Sequence, residues 1–159
     1  VTAICQAPSV YIHGKGASRS LAQLLAFRLK RFGKNVCLLP SGGSELFEDL
    51  VHAESGDALI TFGFQKLPAE SKVLLKQGRD MGCRTILFCS RIYAELDPKD
   101  PIRLFVYRGE PEEYHSMTAA MAVLDALVLE IAAVMGESAV GRLDRLHQMK
   151  RQYRDQLPG

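Results

Sequence analysis

Two glycines and a serine form the first group of residues whose types and spacing indicate chemistry. Gly14, Gly16 and Ser18 follow a short β-prone run, and Lys15 lies between the glycines. Glycines permit a tight turn and let a ligand approach the backbone closely. A helix that begins at such a turn directs free N–H groups at an anion. This turn is therefore the first candidate ligand site, and phosphate or carboxylate fits it best.

Two other interpretations of this turn deserve comparison. It could be a purely structural connection between a strand and a helix. It could also begin the dinucleotide fingerprint G-x-G-x-x-G, but Arg19 occupies the third glycine position, and Leu38-Leu39-Pro40 at the end of the next strand offers no acid for a ribose. The chain contains no G-x-x-x-x-G-K-[ST] phosphate loop. An anion site and a structural turn both remain open.

Candidate acids and bases gather between residues 110 and 115. Glu110, Glu112, Glu113 and His115 could serve an isomerisation through an enediol, which needs one group to move a proton between carbons and another to protonate an oxygen. Glu112 and Glu113 also suit the first turn of a helix, where the macrodipole favours negative charge. We favour that second interpretation, and we expect no catalytic residue. We likewise expect the other three histidines to be structural or solvated: His13, His52 and His147.

Composition gives little sign of a metal, a cofactor or a highly charged partner. The cysteines form no C-x-x-C pair and no zinc spacing with the histidines, so we expect buried or half-buried thiols and no cofactor. A formal net charge of +2 over 159 residues requires neither nucleic acid nor an anionic membrane. The absence of a signal peptide and the thiols favour a cytoplasmic location. The four thiols are Cys5, Cys37, Cys83 and Cys89.

Strands and helices alternate along the first two thirds of the chain. Near-continuous apolar runs predict five strands, at 10–12, 36–39, 58–62, 85–88 and 102–107. Helical spacing predicts intervening helices at 21–32, 44–51 (with Ser44 as N-cap) and 69–81, and a Pro- and Asp-rich loop at 97–101. Apolar strands alternating with helices imply a parallel sheet covered on both faces. The predicted fold class is α/β, a three-layer α-β-α sandwich with a five-stranded parallel, doubly wound sheet of the flavodoxin type.

The last third of the sequence changes character. Residues 117–135 are apolar on most sides and predict a buried helix, and residues 143–153 continue a narrower apolar stripe on a charged helix. Asp125 and Glu130 interrupt the longer run, so we do not expect it to span a membrane. One sheet face can bury only part of this apolar surface. We therefore expect self-association through the late helices, as a homodimer or homotetramer.

Several short segments together resemble a known family. Their order and spacing are similar to those of the SIS (sugar isomerase) domain, above all the SIS domains of RpiR-type transcription regulators. The segments are Tyr11–Ser18, Leu29–Gly33, Gly56–Ile60, Met81–Leu87 and the later run His115–Leu127. The resemblance implies one phosphosugar-binding domain over residues 1–159. Val1 is not a natural start, and the resemblance implies a helix-turn-helix domain upstream of it. We expect the protein to contact DNA only through that domain.

The resemblance also implies ligand-binding residues. The first turn and the start of the second helix would contact the ligand. The family's main phosphate loop follows the pattern Ser-x-Ser-Gly-x-Thr, whereas the matching stretch Gly63–Pro68 has lost every hydroxyl. Gln65 and Lys66 could partly replace those donors. The expected ligand-binding set is Gly14, Lys15, Gly16, Ser18, Ser44, Gln65 and Lys66.

The resemblance and the altered loop together imply a function. We expect the effector-sensing, dimerising domain of a bacterial transcription regulator, which binds a phosphosugar or related anionic carbohydrate such as a sugar acid. Two alternatives stay open: a stand-alone sugar-phosphate isomerase, and a degenerate SIS module used only for association. Because the loop lacks its hydroxyl donors, we expect no enzymatic activity.

Overall fold

The computed structural model describes residues 1–94, 96, 101–110, 112 and 114–156. Most of the predicted Pro- and Asp-rich loop, residues 97–100, lies outside the described residues, and so does Glu113.

Five parallel strands form one sheet. They are β1 (Ser9–Ile12), β2 (Asn35–Leu38), β3 (Ala58–Gly63), β4 (Arg84–Cys89) and β5 (Ile102–Phe105). The order is β2-β1-β3-β4-β5 with every pairing parallel, which is the flavodoxin-type doubly wound order and confirms the predicted fold class. β5 ends two residues before the prediction. β3 is buried over its whole length because helices cover both faces of the sheet.

Helices lie on both faces of the sheet. They are α1 (Thr2–Gln6), α2 (Ser18–Arg31), α3 (Glu45–Leu50), α4 (Ala69–Asp80), α5 (Thr118–Met135) and α6 (Glu137–Gln152). Alternate strand residues point to opposite faces. Val10 and Ile12 therefore pack with α1, α2 and α5, whereas Tyr11 and Leu59 pack with α3 and α4. The result is a three-layer sandwich with the core divided by the sheet.

The predicted helix over residues 117–135 is present as α5, but the prediction that it is buried holds for only one side. α5 buries one stripe against α1, α2 and the sheet, so the opposite face stays exposed, with Leu129 at 70% and Val134 at 61%. By length and composition α5 could cross a membrane, but its buried stripe belongs to the core of this domain. α6 begins at Glu137, earlier than its apolar stripe suggested, and buries only Ala139 among its residues.

The segment before α5 is a loop rather than the start of a helix. The helix begins at Thr118, so the prediction that Glu112 occupies its first turn is wrong. The Arg108 guanidinium donates to the carbonyl oxygens of His115 and Ser116, at 2.9 and 3.1 Å. Both carbonyls therefore accept hydrogen bonds from a side chain. Ser116 Oγ then accepts the N–H of Thr118 at 3.1 Å, which places the start of the helix after it.

Candidate functional site

The turn after β1 brings α2 very close to the end of the strand. Gly14 is buried, and a Cβ there would lie 2.5 Å from the Ser18 carbonyl oxygen and 2.9 Å from Ala22 Cβ. Only glycine fits this approach. Gly16 is exposed with φ of +57°, a conformation that glycine adopts at little cost. Both glycines therefore have a structural reason that is independent of any ligand.

Three N–H groups that seemed free to bind an anion are already bonded within this turn. The N–H of Ser18 donates to the carbonyl of Lys15 at 3.2 Å, and the next two N–H groups donate three positions back at 3.0 and 3.3 Å. The expectation that N–H groups at this turn are free for an anion is therefore wrong for these three. The turn also presents the hydroxyl of Ser18, which is half-buried at the start of α2.

Lys15 in this turn and Ser44 at the start of α3 also belong to the predicted ligand-binding set. The ammonium of Lys15 lies 2.6 Å from Glu70 Oε1, at the start of α4. This hydrogen bond from Lys15 is the largest cause that lowers the pKa of Glu70. Ser44 is exposed at the N-cap position of α3 and makes no side-chain capping bond. An anion at this turn would have to compete with Glu70 for Lys15.

His13 is a structural residue in this arrangement. It is fully buried, with Nδ1 3.1 Å from the Thr61 hydroxyl and Nε2 3.4 Å from the Ser41 carbonyl oxygen. A carbonyl only accepts, so Nε2 carries the proton and Nδ1 accepts from Thr61. Burial lowers the pKa of His13 and keeps it neutral. The histidine thus ties the segment after β2 to the ends of β1 and β3.

A cavity of about 590 Å³ opens beyond the carboxyl ends of β3, β4 and β5. Parallel α/β sheets bind ligands at this edge. Gln65 and Lys66 of the predicted set line it, as do Glu110 and His115 from the predicted acid and base group; Gly14, Lys15, Gly16, Ser18 and Ser44 do not. We call this space the β3–β5 cavity, and its lining is Gln65, Lys66, Ser90, Arg91, Tyr107, Arg108, Gly109, Glu110 and His115.

Arg108 is held in place from two sides. Its guanidinium lies 4.6 Å from the centroid of the Phe64 ring, a cation–π contact. It also donates to the two carbonyls that precede α5. A guanidinium fixed in this way loses little side-chain entropy when it meets an anion. Arg108 is the best preorganised cation of the cavity.

The loop after β3 is stabilised without hydroxyl side chains of its own. The Tyr93 hydroxyl lies 2.7 Å from the carbonyl oxygens of both Gly63 and Phe64. Arg91 Nη1 donates to the Gln65 carbonyl at 3.4 Å. Contacts from the segment after β4 therefore hold this loop, and Lys66 lies exposed on it at the cavity.

The acid and base candidates of the cavity make side-chain contacts already. His115 Nδ1 lies 3.0 Å from the Arg108 carbonyl oxygen, so it carries the proton, and Nε2 accepts from the Gln65 amide. The Tyr107 hydroxyl donates to Glu110 at 2.8 Å. Among the described lining residues, the charged ones are three cations and one carboxylate, an arrangement that favours an anionic ligand.

No metal site stands out in the part of the chain that the structure describes, where no three His, Cys, Asp or Glu side chains could hold an ion together. Cys5 and Cys37 are half-buried, while Cys83 and Cys89 are buried, as predicted. Burial raises the pKa of Cys37, Cys83 and Cys89, so these thiols stay protonated and weakly nucleophilic.

Sequence reasoning missed Arg91 and Arg108. Both follow a strand at the carboxyl edge, Arg91 after β4 and Arg108 after β5. The predicted ligand-binding residues follow only the first three strands, whereas ligands in parallel sheets bind beyond the carboxyl ends of the strands in general. Applied to all five strands, this rule would have placed both arginines among the candidates.

Most of the chain matches one family model. The model of the SIS domain matches residues 3–130, and the chain belongs to the SIS domain family. No curated protein sequence matches the chain.

Solved structures with the same fold include a transcription factor, a protein complexed with a sugar phosphate and a protein with an inferred isomerase function. The sugar isomerase domain of the RpiR transcription factor from Sphaerobacter thermophilus is similar, with TM-score 0.81 and 23% identity over 92% of this chain and 82% of that one. The Vibrio vulnificus NanR protein complexed with ManNAc-6P has TM-score 0.78 and 17% identity, over 95% and 58%. A Methanococcus jannaschii protein, inferred to be a 3-hexulose-6-phosphate isomerase, has TM-score 0.62 and 19% identity, over 87% and 78%.

Proposed function

We propose that this chain is the effector-sensing domain of a bacterial transcription regulator and that its effector is a phosphosugar or a related anionic carbohydrate. The observation that carries the proposal is the convergence of Lys66, Arg91 and Arg108 on one cavity at the carboxyl edge of the sheet. In the described part of the lining these three cations accompany one carboxylate, which favours a ligand with concentrated negative charge, such as a phosphate ester or a sugar acid.

The similar structures support this choice of class. RpiR is a transcription factor, and NanR is complexed with ManNAc-6P. In the full-length protein, DNA would be contacted by a separate domain upstream of this one. The net charge of this chain provides no strong field of its own for DNA.

We place the anionic group of the ligand among Lys66, Arg91 and Arg108. Gln65 then lies within the same cavity for a hydroxyl of the sugar. The neutral end of the ligand extends towards Ser18 in the turn after β1 and Ser44 at the start of α3, which offer hydroxyl groups. In this arrangement, Gly14, Lys15 and Gly16 shape the flank of the site, and the cavity provides most of the binding free energy.

We propose that the domain binds its ligand without converting it. Isomerisation needs a base that is free to take a proton from carbon. His115 has both ring nitrogens engaged, and Glu110 accepts a hydrogen bond from Tyr107. The isomerase inferred for the Methanococcus protein makes catalysis the second candidate function. Coupled assays on pentose, hexose and amino-sugar phosphates are expected to stay at background, and turnover of about 1 s⁻¹ or more would establish that second candidate.

We also propose that two copies associate through the exposed face of α5. Leu129 and Val134 are 70% and 61% exposed, and burying such apolar surface in a two-fold interface is the common solution. Sedimentation velocity at micromolar concentration should give a dimer or tetramer, and the variant Leu129→Ser/Val134→Ser should associate more weakly, because it loses the two-fold contact through α5. A wild type that sediments as the 17.6 kDa monomer would contradict this interface.

A thermal-shift panel tests the ligand class. Pentose, hexose and amino-sugar phosphates and sugar acids are added to the chain, each beside its uncharged parent sugar. At least one anion is expected to raise the melting temperature while its parent sugar does not. A panel without any shift, or a shift caused equally by the parent sugar, would contradict the proposal.

A further inference from the structure

A second large cavity lies between α2 and α6, and none of its described lining residues lines the β3–β5 cavity. It has a volume of about 620 Å³ and is an open groove. Five of its described lining residues are cations and none is an acid, and the others include three apolar side chains. We call it the α2–α6 groove, and its lining is Phe27, Lys30, Arg31, Gly33, Arg142, Arg145, Leu146, Met149 and Lys150.

The groove combines exposed apolar surface with fixed cations. Phe27 and Met149 are 56% and 53% exposed, and the Arg31 guanidinium lies 5.6 Å from the centroid of the Phe27 ring. Arg142 lies so close to Gly33 that a Cβ there would be 2.9 Å from its Nε. Aromatic residues, Met and Arg are enriched in protein–protein interfaces. A nucleic-acid backbone would use the cations but would leave the apolar side chains unused.

A surface of the opposite character lies on α3. Its Phe47 and the adjacent Val51 are 53% and 69% exposed, and they are interleaved with Glu45, Glu48 and Asp49. We call these five residues the α3 surface. It combines exposed apolar side chains with carboxylates, which is what the groove requires of a partner.

The charges of the chain are segregated along the sequence in the same way. Residues 1–44 contain no Asp or Glu, and residues 35–65 contain no Lys or Arg. The small net charge therefore conceals a basic region that includes α2 and an acidic region that includes α3. α2 packs on one face of the sheet and α3 on the other, so one copy cannot place its own α3 in its groove.

We infer that the α2–α6 groove binds the α3 surface of a second copy of this chain. Phe47 and Val51 meet the apolar floor, and the carboxylates of α3 meet the arginines and lysines along the rim. Because the two surfaces differ, the contact is head-to-tail and can extend from copy to copy. It is separate from the two-fold contact proposed for α5, and it does not depend on the proposed ligand.

The test uses the chain with Leu129→Ser and Val134→Ser, so that association through α5 does not contribute. One variant adds Glu45→Lys and Glu48→Lys on α3, and another adds Arg145→Ser and Lys150→Ser in the groove. Matched controls carry Glu130→Lys or Arg84→Ser, which change exposed charges outside both surfaces. Circular dichroism and thermal melting check that each variant is folded. Sedimentation velocity is then measured over a range of protein concentrations at low and high salt.

The background chain and both controls are expected to associate as concentration rises, and roughly tenfold more weakly at high salt because exposed charge pairs are screened. The α3 variant and the groove variant should each stay monomeric. Mixed together, they should form a dimer and nothing larger, because each supplies the surface that the other lacks. A monomeric background chain, or a mixture that stays monomeric, would overturn the inference. The inference would also be overturned if the background chain, diluted to monomer, bound a DNA duplex and the groove variant did not. That result would assign the groove to nucleic acid.

Discussion

The turn after β1 and the β3–β5 cavity lie at the same edge of the sheet, yet they differ in what they can offer a ligand. In the turn, three N–H groups bond to nearby carbonyls and Lys15 is paired with Glu70. In the cavity, Lys66, Arg91 and Arg108 face a common space, and Glu110 is the one carboxylate among the described lining residues. The comparison teaches that packing alone can explain a glycine turn, whereas cations that converge on one cavity favour an anionic ligand.

Replacing Arg108 should have the largest effect on ligand affinity. The variant Arg108→Ala removes a charged donor that is already fixed by Phe64, and affinity for an anionic ligand should fall about 100-fold, near the upper range for a hydrogen bond to a charged group. Arg108→Lys keeps the charge but loses the planar fork, so its affinity should be intermediate. Isothermal titration measures all three proteins. Arg84→Ala, at an exposed position remote from the cavity, is the matched control.

Because Arg108 also holds the segment before α5, folding of Arg108→Ala must be checked by its melting temperature. A folded variant that binds as tightly as the wild type would show that Arg108 does not bind the ligand. The proposed difference between the cavity and the turn after β1 would then lose its main support.

Lys66→Ala should lower affinity by about tenfold. This lysine is exposed on its loop, so water screens its charge more than that of Arg108. Titration in low and high salt should show that the loss is greatest at low salt. Lys76→Ala, an exposed lysine on α4, should have no effect. Equal losses for the two lysines would mean that only the overall charge matters.

His13→Gln should change the pH dependence of stability and leave ligand affinity unchanged. Burial lowers the pKa of His13, so the folded state takes up a proton less readily than the unfolded state, whose histidine titrates near 6.5. Wild-type stability should therefore fall as pH drops below about 6.5, by up to about 1.4 kcal/mol per pH unit from this group. Urea unfolding at pH 7.5 and pH 5.5 should show a smaller fall for His13→Gln. An unchanged pH dependence would contradict this role, and exposed His52→Gln is the control.

Among the substitutions expected to weaken ligand binding, Ser18→Ala should have the smallest effect on affinity. The neutral end of the ligand is proposed to reach the turn, so loss of the Ser18 hydroxyl should lower ligand affinity about threefold, as expected for a hydrogen bond between uncharged groups. The same titration measures it. A loss as large as that of Arg108→Ala would show that the turn binds the charged group, and the comparison between the two regions would be reversed.

Much of the fold could be predicted because its signals are local. Apolar runs of three to five residues mark β1 to β4, and the alternation with helices determines the parallel sheet. The site depends on contacts between distant segments, which no local pattern contains. The position of Arg108 is fixed by Phe64 on another loop, and the loop after β3 is held by Tyr93 after β4. Likewise, only the packing of α5 shows that Leu129 is exposed.

The most direct test of the proposed site is a double-mutant-style cycle between ligand and protein. Isothermal titration compares the best-binding sugar phosphate and its unphosphorylated parent, each against the wild type and Arg108→Ala. We predict that removing the phosphate and removing Arg108 each weaken binding about 100-fold, and that the second change adds little once the first is made. Two losses that simply add, or a parent sugar that binds as tightly as its phosphate, would contradict a phosphate held by the β3–β5 cavity.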